Sequence, residues 1–301
     1  MENSISTKYK DPNYIEPWEK FGKLTVSIVV HDTPPSQLKQ ALNCVDHHLV
    51  SKIYVIDNSN SDSLKNIVPL FNRTEYYHVS NDGFGAGHNI AIKKAMETDA
   101  KYHLVMNADV YWVEDVLTEL ITKLEEDDNI GLIAPKVFYP NGYLQYTCRM
   151  LPDPFILFAK RFLPHNLIKK RLQRYLLASH DHDYPLNVPY LLGSFLLFRI
   201  EALKDVGLFD ERFFMYPEDI DITRRIHEKW ITLYYPKVSI IHEHQAASRK
   251  NLRMLKIHII NMIKYFNKWG WRKDQKRILF NKKLEEAIIK LHHSKIQQGR
   301  G

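Results

Sequence analysis

Residues 24–59 read LTVSIVVHDTPPSQLKQALNCVDHHLVSKIYVIDNS, and this stretch decides the fold class. The run LTVSIVVH (24–31) is apolar and rich in β-branched residues, which is typical of a buried strand. Asp32 and two prolines interrupt it, and SQLKQALNCV then has the apolar spacing of a helix. KIYVIDNS (52–59) is a second buried strand that ends in a polar turn. A strand, a helix and a strand in this order predict a parallel β-α-β unit.

The alternation of strands and helices continues to about residue 130. TEYYHVS (74–80) and KYHLVMNAD (101–109) have the pattern of further strands, and a short helix over 63–71 precedes the first of them. The glycine-rich NDGFGAGHN (81–89) opens the next helix, and VEDVLTELITKLEED is an amphipathic helix. We therefore predict an α/β fold, with a Rossmann-like, mostly parallel sheet flanked by helices.

Ligands of such sheets bind beyond the carboxyl ends of the parallel strands. The polar residues that end these strands should therefore gather along one edge of the sheet. They are His31-Asp32, Asp57-Asn58, Asn81-Asp82-Gly83 and Asn107-Ala108-Asp109.

Several of these residues have both a functional and a structural interpretation. GFGAG would let the backbone approach a phosphate at a helix N-terminus, or it forms a tight turn that needs positive φ. It follows the third strand, which disfavours a classical NAD-binding fold. Asp57 would accept hydrogen bonds from a base or a ribose, or it forms an Asx turn or a helix cap.

Three further residues, Asp109, His242 and His244, suggest that the protein binds a divalent cation. Asp109 is a hard oxygen ligand at a strand end, suited to Mg²⁺ or Mn²⁺, or else a turn aspartate. His242 and His244 in IIHEH alternate along a predicted strand and so share a face, although ordinary histidines would fit there too. The two cysteines have no zinc-binding spacing, and they favour a reducing compartment.

MYPEDID (215–221) crowds three carboxylates, Glu218, Asp219 and Asp221, into four residues. Like charges this close repel one another. One interpretation is a helix N-terminus, where acids are favoured, with pairing to Arg224 and Arg225. The other is a general base beside a cation site.

The order of these motifs identifies a family. VSIVVH, IDNSNSD, SNDGFGAGHNIAI, VMNAD, GSFLLFRIEALKDVGLFDERFFMYPEDIDITRRI and IIHEH occur in turn. Together they resemble a family 2 glycosyltransferase with the GT-A fold, and they look closest to the bacterial rhamnosyltransferase-type members that build surface polysaccharides. The resemblance extends over roughly residues 23–250.

The resemblance implies a role for each candidate residue. Asp219 would be the general base, with Glu218 beside it. GSFLLFR would form part of the acceptor site, with Gly193 and Ser194 as the better candidates, although a plain core strand explains Phe195 to Phe198 nearly as well. Asp109 would be the metal carboxylate, with His242 or His244 as a further ligand. The family's DxD motif has Asn107 in its first position here, which leaves less negative charge. The residues implied beside the nucleotide are His31, Asp57, Asn58, Asn81, Gly83, Gly85, Asn89 and Asn107.

The implied activity is an inverting, Mg²⁺- or Mn²⁺-dependent transfer of a sugar from a nucleotide donor onto a lipid-linked glycan. The expected donor is dTDP-rhamnose and the expected product an O-antigen, capsule or exopolysaccharide. Two alternatives stay open, a UDP-sugar donor and a non-catalytic scaffold in a polysaccharide-assembly complex. The intact set of Asp57, Asp109 and Asp219 favours the enzyme.

Charge and hydropathy suggest how the chain is organised. The net charge is +7, and residues 249–301 carry 15 Lys and Arg against 3 Asp and Glu. We expect a polar extension (1–22), a catalytic domain (23–250) and a basic helical tail (251–301). Within the domain, the amphipathic segment 149–186 is expected on the acceptor side.

The basic tail has two interpretations. It lies on anionic lipid with its apolar face in the headgroups, or it packs its aromatic face on the domain and leaves its lysines solvated. No nucleic-acid-binding module accompanies the charge, so we expect no nucleic-acid partner. No signal peptide and no run of about 18 apolar residues occurs. We therefore expect a cytoplasmic protein, peripheral on the cytoplasmic face of the inner membrane.

Overall fold

The computed structural model describes residues 23–243 and 252–298. Its strands are β1 (Lys23–Val30), β2 (Val50–Asp57), β3 (Thr74–His78), β4 (Ala100–Asn107), β5 (Val110–Tyr111), β6 (Ile130–Phe138), β7 (Cys148–Arg149), β8 (Leu186–Asn187), β9 (Tyr190–Leu191), β10 (Phe195–Arg199) and β11 (Ile231–His242). Its helices are α1 (Pro35–Val45), α2 (Phe84–Met96), α3 (Val116–Glu126), α4 (Pro154–Phe162), α5 (His165–Tyr175), α6 (Ile200–Val206), α7 (Glu218–His227), α8 (Leu252–Trp269) and α9 (Gln275–Gln298).

The main sheet has the strand order β3-β2-β1-β4-β10-β6-β11-β5, with β8 paired to β11. β3, β2, β1 and β4 pair in parallel with one another, and β6 pairs in parallel with β11. β10 is antiparallel to both strands that flank it, and β5 is an antiparallel edge strand. The predicted mostly parallel α/β sheet is therefore confirmed.

The strand register brings the predicted polar residues to one edge of the sheet. Val30 pairs with Asp57 and Val29 pairs with Asn107, so β1, β2 and β4 end at the same level. β10 runs the other way and pairs Phe195 with Met106. Because an antiparallel strand begins where its parallel neighbours end, the residues just before β10 also lie at this edge.

Both faces of the sheet are covered. On one face, Leu24, Val26 and Ile28 of β1 pack in a cluster that also contains residues of α1 and α3. On the other face, a buried polar chain crosses from β1 to α2. Ser27 Oγ lies 2.7 Å from His88 Nδ1 and 2.9 Å from His103 Nε2. Burial lowers the pKa of both histidines, that of His103 to about 3, so both are neutral.

Two predicted elements were wrong. The sequence YLLGSFLLFR (190–199) has the apolar pattern of one strand, but it forms β9 and β10 with Leu192, Gly193 and Ser194 between them. β9 pairs with β7 in a separate two-stranded sheet, so the chain must turn before it enters the main sheet. The helix expected over 63–71 is a series of turns that ends in a short 3₁₀ helix, Val68–Leu70.

The described part of the basic tail packs on the domain. Met262, Tyr265 and Phe266 of α8 are fully buried, and Lys268 is paired with Asp210 and Asp221. Of the two interpretations of the tail, the packed one is therefore observed for residues 252–298. No helix in the described ranges is long and apolar enough to cross a membrane. The polar extension 1–22 lies outside them.

Candidate active site

Asn107, Asp109 and His242 meet at the carboxyl-end edge of the sheet. His242 Nε2 lies 3.2 Å from Asp109 Oδ1, and Asn107 Nδ2 donates to the same nitrogen at 3.4 Å. His242 is buried, whereas Asp109 is 18% exposed, so the carboxylate faces the open side of the site. His244, the alternative metal ligand, lies outside the described residues.

Gln145 determines which nitrogen of His242 carries the hydrogen. Its Nε2 donates to the backbone oxygen of His242 at 2.7 Å, because a carbonyl can only accept. The amide oxygen of Gln145 therefore faces His242 Nδ1, at 3.0 Å, and Nδ1 must donate to it. In the neutral imidazole this leaves a lone pair on Nε2, which accepts from Asn107 Nδ2 and lies beside Asp109 Oδ1.

This donor set fits a divalent cation. Two lone-pair atoms at 3.2 Å repel each other unless a proton or a cation lies between them. Cis ligands of Mg²⁺ at about 2.1 Å from the ion are separated by about 3 Å, close to the observed distance. No group of three or more His, Cys, Asp and Glu side chains in the described ranges could hold a metal. Further ligands would come from substrate phosphates, the usual arrangement for Mg²⁺.

The residues predicted beside the nucleotide form a second part of the same edge. Asp57 is fully buried, and its carboxylate accepts from Ser59 N at 2.8 Å and from Tyr76 Oη at 2.6 Å. The Asx turn that the sequence left open is therefore present. His31 Nδ1 contacts the backbone oxygen of Asn58 at 2.9 Å, and Asn81 Nδ2 lies 3.5 Å from the same nitrogen.

Asn58 has a buried oxygen, Oδ1, with no hydrogen-bond partner in the described part of the chain. Such an atom is costly to leave unpaired, and a ligand donor would satisfy it. The nucleotide-binding role of Asn58 and its neighbours stays a prediction.

The glycine-rich loop contacts the segment that leads to the carboxylates. Gly83 has φ +108°, and a Cβ there would lie 2.3 Å from the carbonyl oxygen of Phe214. A Cβ on Gly85 would lie 2.8 Å from Phe209 Cβ. The Asn89 side chain donates to Phe209 O at 2.9 Å and accepts from Phe209 N at 3.0 Å. The loop therefore positions residues 209–214, and its predicted contact with a nucleotide stays a prediction.

Asp219 lies in the first turn of α7 and is held by three donors. Tyr190 Oη and Gly193 N each donate to Oδ2 at 3.1 Å, and Ile220 N donates to Oδ1 at 2.8 Å. Burial raises the pKa of Asp219 to about 6, although these donors and the positive charge of Arg149 oppose the rise. The carboxyl is thus ionised at neutral pH and has a higher proton affinity than an ordinary aspartate.

The other two carboxylates of the acidic stretch differ from Asp219. Glu218 is buried, and its Oε2 has no hydrogen-bond partner among the described residues. Burial and the charge of Asp219 raise the pKa of Glu218 well above its usual value. Asp221 is fully buried and binds Arg225 at 2.9 Å and Lys268 at 2.6 Å. Its expected pairing with Arg225 is therefore observed, and it has a structural role.

The segment 192–194 joins the base to the metal-binding end. Gly193 N donates to Asp219, and the backbone oxygen of Ser194 accepts from Asn107 N at 3.0 Å. A Cβ on Gly193 would lie 3.1 Å from Asp219 Cβ, so any other residue there would push Asp219 away by a few tenths of an ångström. Ser194 Oγ is buried without a partner in the described chain, which leaves it available to a ligand.

Sequence reasoning missed Gln145, Arg149 and Tyr190. All three come from the segments around the small sheet of β7 and β9, which carries no motif. Arg149 pairs with Tyr190 across this sheet, and its guanidinium carbon lies 5.7 Å from the centre of the Tyr190 ring. The site thus combines a buried carboxylate with a raised pKa, an aspartate–histidine pair and a polar sheet edge, and their roles as base, cation site and nucleotide site stay predictions.

Comparisons with known proteins agree with this geometry. The family model described as glycosyl transferase family 2 matches residues 25–207. N-acetylglucosaminyl-diphospho-decaprenol L-rhamnosyltransferase of Mycobacterium tuberculosis is 29% identical over 150 residues, which are 48% of this chain and 47% of that protein. The chain therefore spans about half the length of this relative. Rhamnosyltransferase WbbL of Escherichia coli is 26% identical over 272 residues, 87% of this chain and 96% of that protein.

Two solved structures share the fold. GalNAc-T7, solved with UDP, GalNAc and Mn²⁺, has a TM-score of 0.55 and 18% identity and covers 73% of this chain and 43% of its own. Mannosyltransferase PcManGT from Pyrobaculum calidifontis, solved with GDP-Man and Mn²⁺, has a TM-score of 0.53 and 15% identity, and the match covers 80% of this chain and 64% of that one. At these identities the likeness concerns the fold alone, and it confirms the expected GT-A architecture.

Proposed function

The chain belongs to glycosyl transferase family 2, and from this premise we propose that it transfers a sugar from a nucleotide donor to a lipid-linked saccharide, with inversion at the anomeric carbon. The observation that carries the proposal is the link between base and cation site. Gly193 binds Asp219, and the next residue, Ser194, binds Asn107. A donor whose diphosphate lies at Asp109 and His242 would thus have its sugar near the base.

Asp219 acts as the general base. The acceptor hydroxyl attacks the anomeric carbon while its proton passes to the Asp219 carboxylate. The bond from that carbon to the diphosphate oxygen breaks, and the nucleoside diphosphate leaves with the electron pair. A general base works best when its pKa lies near the working pH, and burial moves Asp219 in that direction.

Asp109 and His242 would hold a divalent cation, Mg²⁺ or Mn²⁺. When bound, the ion compensates the negative charge that develops on the departing diphosphate. Gln145 orients His242 for this role through its two hydrogen bonds. Asn107 in place of an acid leaves Asp109 as the carboxylate at this position, so the cation depends strongly on the diphosphate for its remaining ligands.

The donor we propose is dTDP-rhamnose, supported by the two rhamnosyltransferase relatives. The acceptor is a saccharide on a lipid diphosphate, of the class named for the mycobacterial relative. Such an acceptor would bring the protein to the cytoplasmic face of a membrane, where the product serves surface-polysaccharide synthesis.

A donor screen followed by one substitution tests the proposal. Purified protein is melted with Mg²⁺ or Mn²⁺ against dTDP-rhamnose, UDP-hexoses and the free nucleoside diphosphates. Stabilisation of about 2.7 kcal/mol is expected at 100 times the dissociation constant. A thermal shift with UDP species alone would show that the donor is a UDP-sugar. The absence of a shift with any nucleotide would overturn the proposed transferase activity.

Asp219→Asn then separates binding from chemistry. We expect this variant to keep the metal-dependent thermal shift and to lose transfer by about 100- to 10,000-fold, the usual contribution of a general base. Full turnover by Asp219→Asn would show that another group takes the proton.

A further inference from the structure

The Tyr190 side chain lies between Arg149 and Asp219, the proposed base. The Arg149 guanidinium lies over Tyr190, whose hydroxyl donates to Asp219 Oδ2. Its Nε donates to the backbone oxygen of Tyr146 at 2.6 Å, which holds the side chain in the site. The residue as a whole is half-buried.

The charge of Arg149 has no carboxylate partner. Within residues 23–243 and 252–298, no Asp or Glu forms an ion pair with it. Other half-buried or buried arginines do have such partners, namely Arg199, Arg224, Arg225 and Arg277. The Arg149 charge acts on Asp219 without direct contact, where it opposes the rise of that carboxyl's pKa, so an anion in direct contact with the guanidinium would gain a charge-assisted hydrogen bond.

The anion that reaches Arg149 belongs to the acceptor. Gln145 contacts His242 at the cation site, and four residues later Arg149 contacts Tyr190 at the base. The donor diphosphate would lie at the Gln145 end of this segment. The acceptor hydroxyl must reach Asp219, so any charge that the acceptor itself carries lies beyond the base, at the Arg149 end.

An apolar groove is formed by residues that come shortly after Arg149 in the sequence. Asp153 caps α4, and the first half of this helix borders an open groove of about 410 Å³. The exposed fractions of Phe155, Leu163 and Leu167 are 46%, 42% and 74%, high for large apolar residues. Arg171 stacks on Phe155 at 4.5 Å and is paired with Asp153 at 2.7 Å. The residues that line the groove are Pro154, Phe155, Phe158, Ala159 and Leu163.

We propose that Arg149 binds the phosphate that joins the acceptor sugar to its lipid, and that the groove at α4 holds the first part of the lipid chain. A hydroxyl at Asp219, an anion at Arg149 and an apolar chain at α4 follow one another as they do in a glycosyl diphospholipid. The inference rests on the proposed function and adds the way in which the acceptor is recognised. It requires a short acceptor, in which the reacting sugar itself carries the phosphate.

Two acceptors with the same sugar test the role of Arg149. One is the glycosyl diphospholipid and the other is an uncharged alkyl glycoside. For Arg149→Gln we expect the ratio of kcat/KM, charged over uncharged, to fall about 10- to 100-fold, the value of a hydrogen bond to a charged group. Any change in the base affects both acceptors alike and cancels in this ratio. Arg149→Lys should restore part of it, and Arg272→Gln, which removes an exposed arginine, should leave it unchanged.

The outcomes separate the possible explanations. An equal loss with both acceptors would overturn the proposal and make Arg149 a positioning residue for Tyr190 and Asp219. If Arg149→Gln binds phosphatidylglycerol vesicles more weakly than the unaltered protein does when no acceptor is present, Arg149 contacts lipid headgroups rather than the acceptor phosphate. Absence of transfer by the unaltered protein to either acceptor would refute the proposed function itself.

Chain length tests the groove. Leu163→Ser should raise KM for a long-chain glycosyl diphospholipid and leave KM for a two-carbon analogue within about twofold, since only the long chain reaches α4. Equal KM changes for both would show that the groove holds no lipid. The thermal midpoint of the variant, measured beside these assays, identifies any loss that comes from unfolding.

Discussion

Arg224 and Asp274 form a bidentate ion pair, with both hydrogen bonds 2.6 Å long and both side chains almost fully buried. Arg224 lies in α7, the helix that begins with Glu218 and Asp219, and Asp274 immediately precedes α9. The guanidinium also lies 3.9 Å from the ring centre of Trp269, at the end of α8. The C-terminal helices are therefore fastened directly to the helix that carries the base.

Breaking this pair should strongly destabilise the protein. Asp274→Ala leaves the Arg224 charge buried and removes the bond from Arg277 N to Asp274 Oδ1. We expect a loss of about 3–5 kcal/mol in the free energy of unfolding, measured by urea titration. Lys276→Ala, which breaks an exposed pair with Glu228, should cost less than about 1 kcal/mol. Equal losses in the two variants would contradict the structural role of the buried pair.

The pH dependence of transfer should follow the pKa of Asp219. A protonated carboxyl cannot take the acceptor proton, so kcat/KM should fall as pH decreases through about 6. Above about pH 7 Asp219 is ionised, so its titration should no longer change kcat/KM. The measurement is kcat/KM between pH 5 and 8 at saturating metal. A decrease in kcat/KM centred near pH 4 would show that Asp219 is not desolvated in the working enzyme. The residual activity of Asp219→Asn should not decrease with pH in this way.

Glu218 should affect stability rather than the chemical step. Its folded-state pKa is raised, so the stability that its protonation contributes is complete below about pH 4 and is lost as pH rises toward the folded pKa. Glu218→Gln keeps the shape of the protonated side chain and cannot ionise. The variant should therefore gain stability relative to the wild type as pH rises from 4 to 8, with transfer largely retained. A stability difference that does not change with pH would disprove the raised pKa.

Gln145 should control the affinity for the cation. Gln145→Leu frees the His242 ring to rotate and to change tautomer, and loss of such a partner typically weakens metal binding about 10- to 100-fold. Electron paramagnetic resonance of Mn²⁺ in the presence of a nucleoside diphosphate measures the dissociation constant without turnover. Gln37→Leu is the matched control, because Gln37 binds Glu243 rather than His242. Unchanged Mn²⁺ affinity in Gln145→Leu would rule out this role.

Gly83 and Gly142 form a natural pair for testing the glycine-rich loop. Both have positive φ, but a Cβ on Gly83 would collide with the Phe214 carbonyl, whereas a Cβ on Gly142 meets nothing within 4 Å. Gly142→Ala should cost about 1 kcal/mol from the backbone alone, and Gly83→Ala about 3 kcal/mol or more because the 209–214 segment must also move. Urea unfolding measures both. Similar costs would mean that the loop does not brace this segment.

Periodicity and strand-end residues were sufficient to predict the first half of the fold. β1, β2 and β4 are mostly apolar, which is the sequence pattern of a parallel strand that is buried on both faces. Parallel pairing then requires their carboxyl ends to share an edge, so Asp57, Asn107 and Asp109 could be placed together before any coordinates. The same approach failed at 190–199, because only three residues, including Gly193 and Ser194, separate two apolar strands that belong to different sheets.

The amino-acid sequence by itself determined the α/β class, the site edge and the candidate for the base, because each depends on local patterning or on a motif. Only the tertiary structure decided what those residues contact. Asp221 pairs with Arg225 and Lys268, whereas Glu218 forms no ion pair within the described residues. Gln145, Arg149 and Tyr190 reach the site from a small sheet with no motif, through contacts between residues distant in the chain. Such long-range pairings depend on how the segments pack together, and no local pattern of residues encodes them.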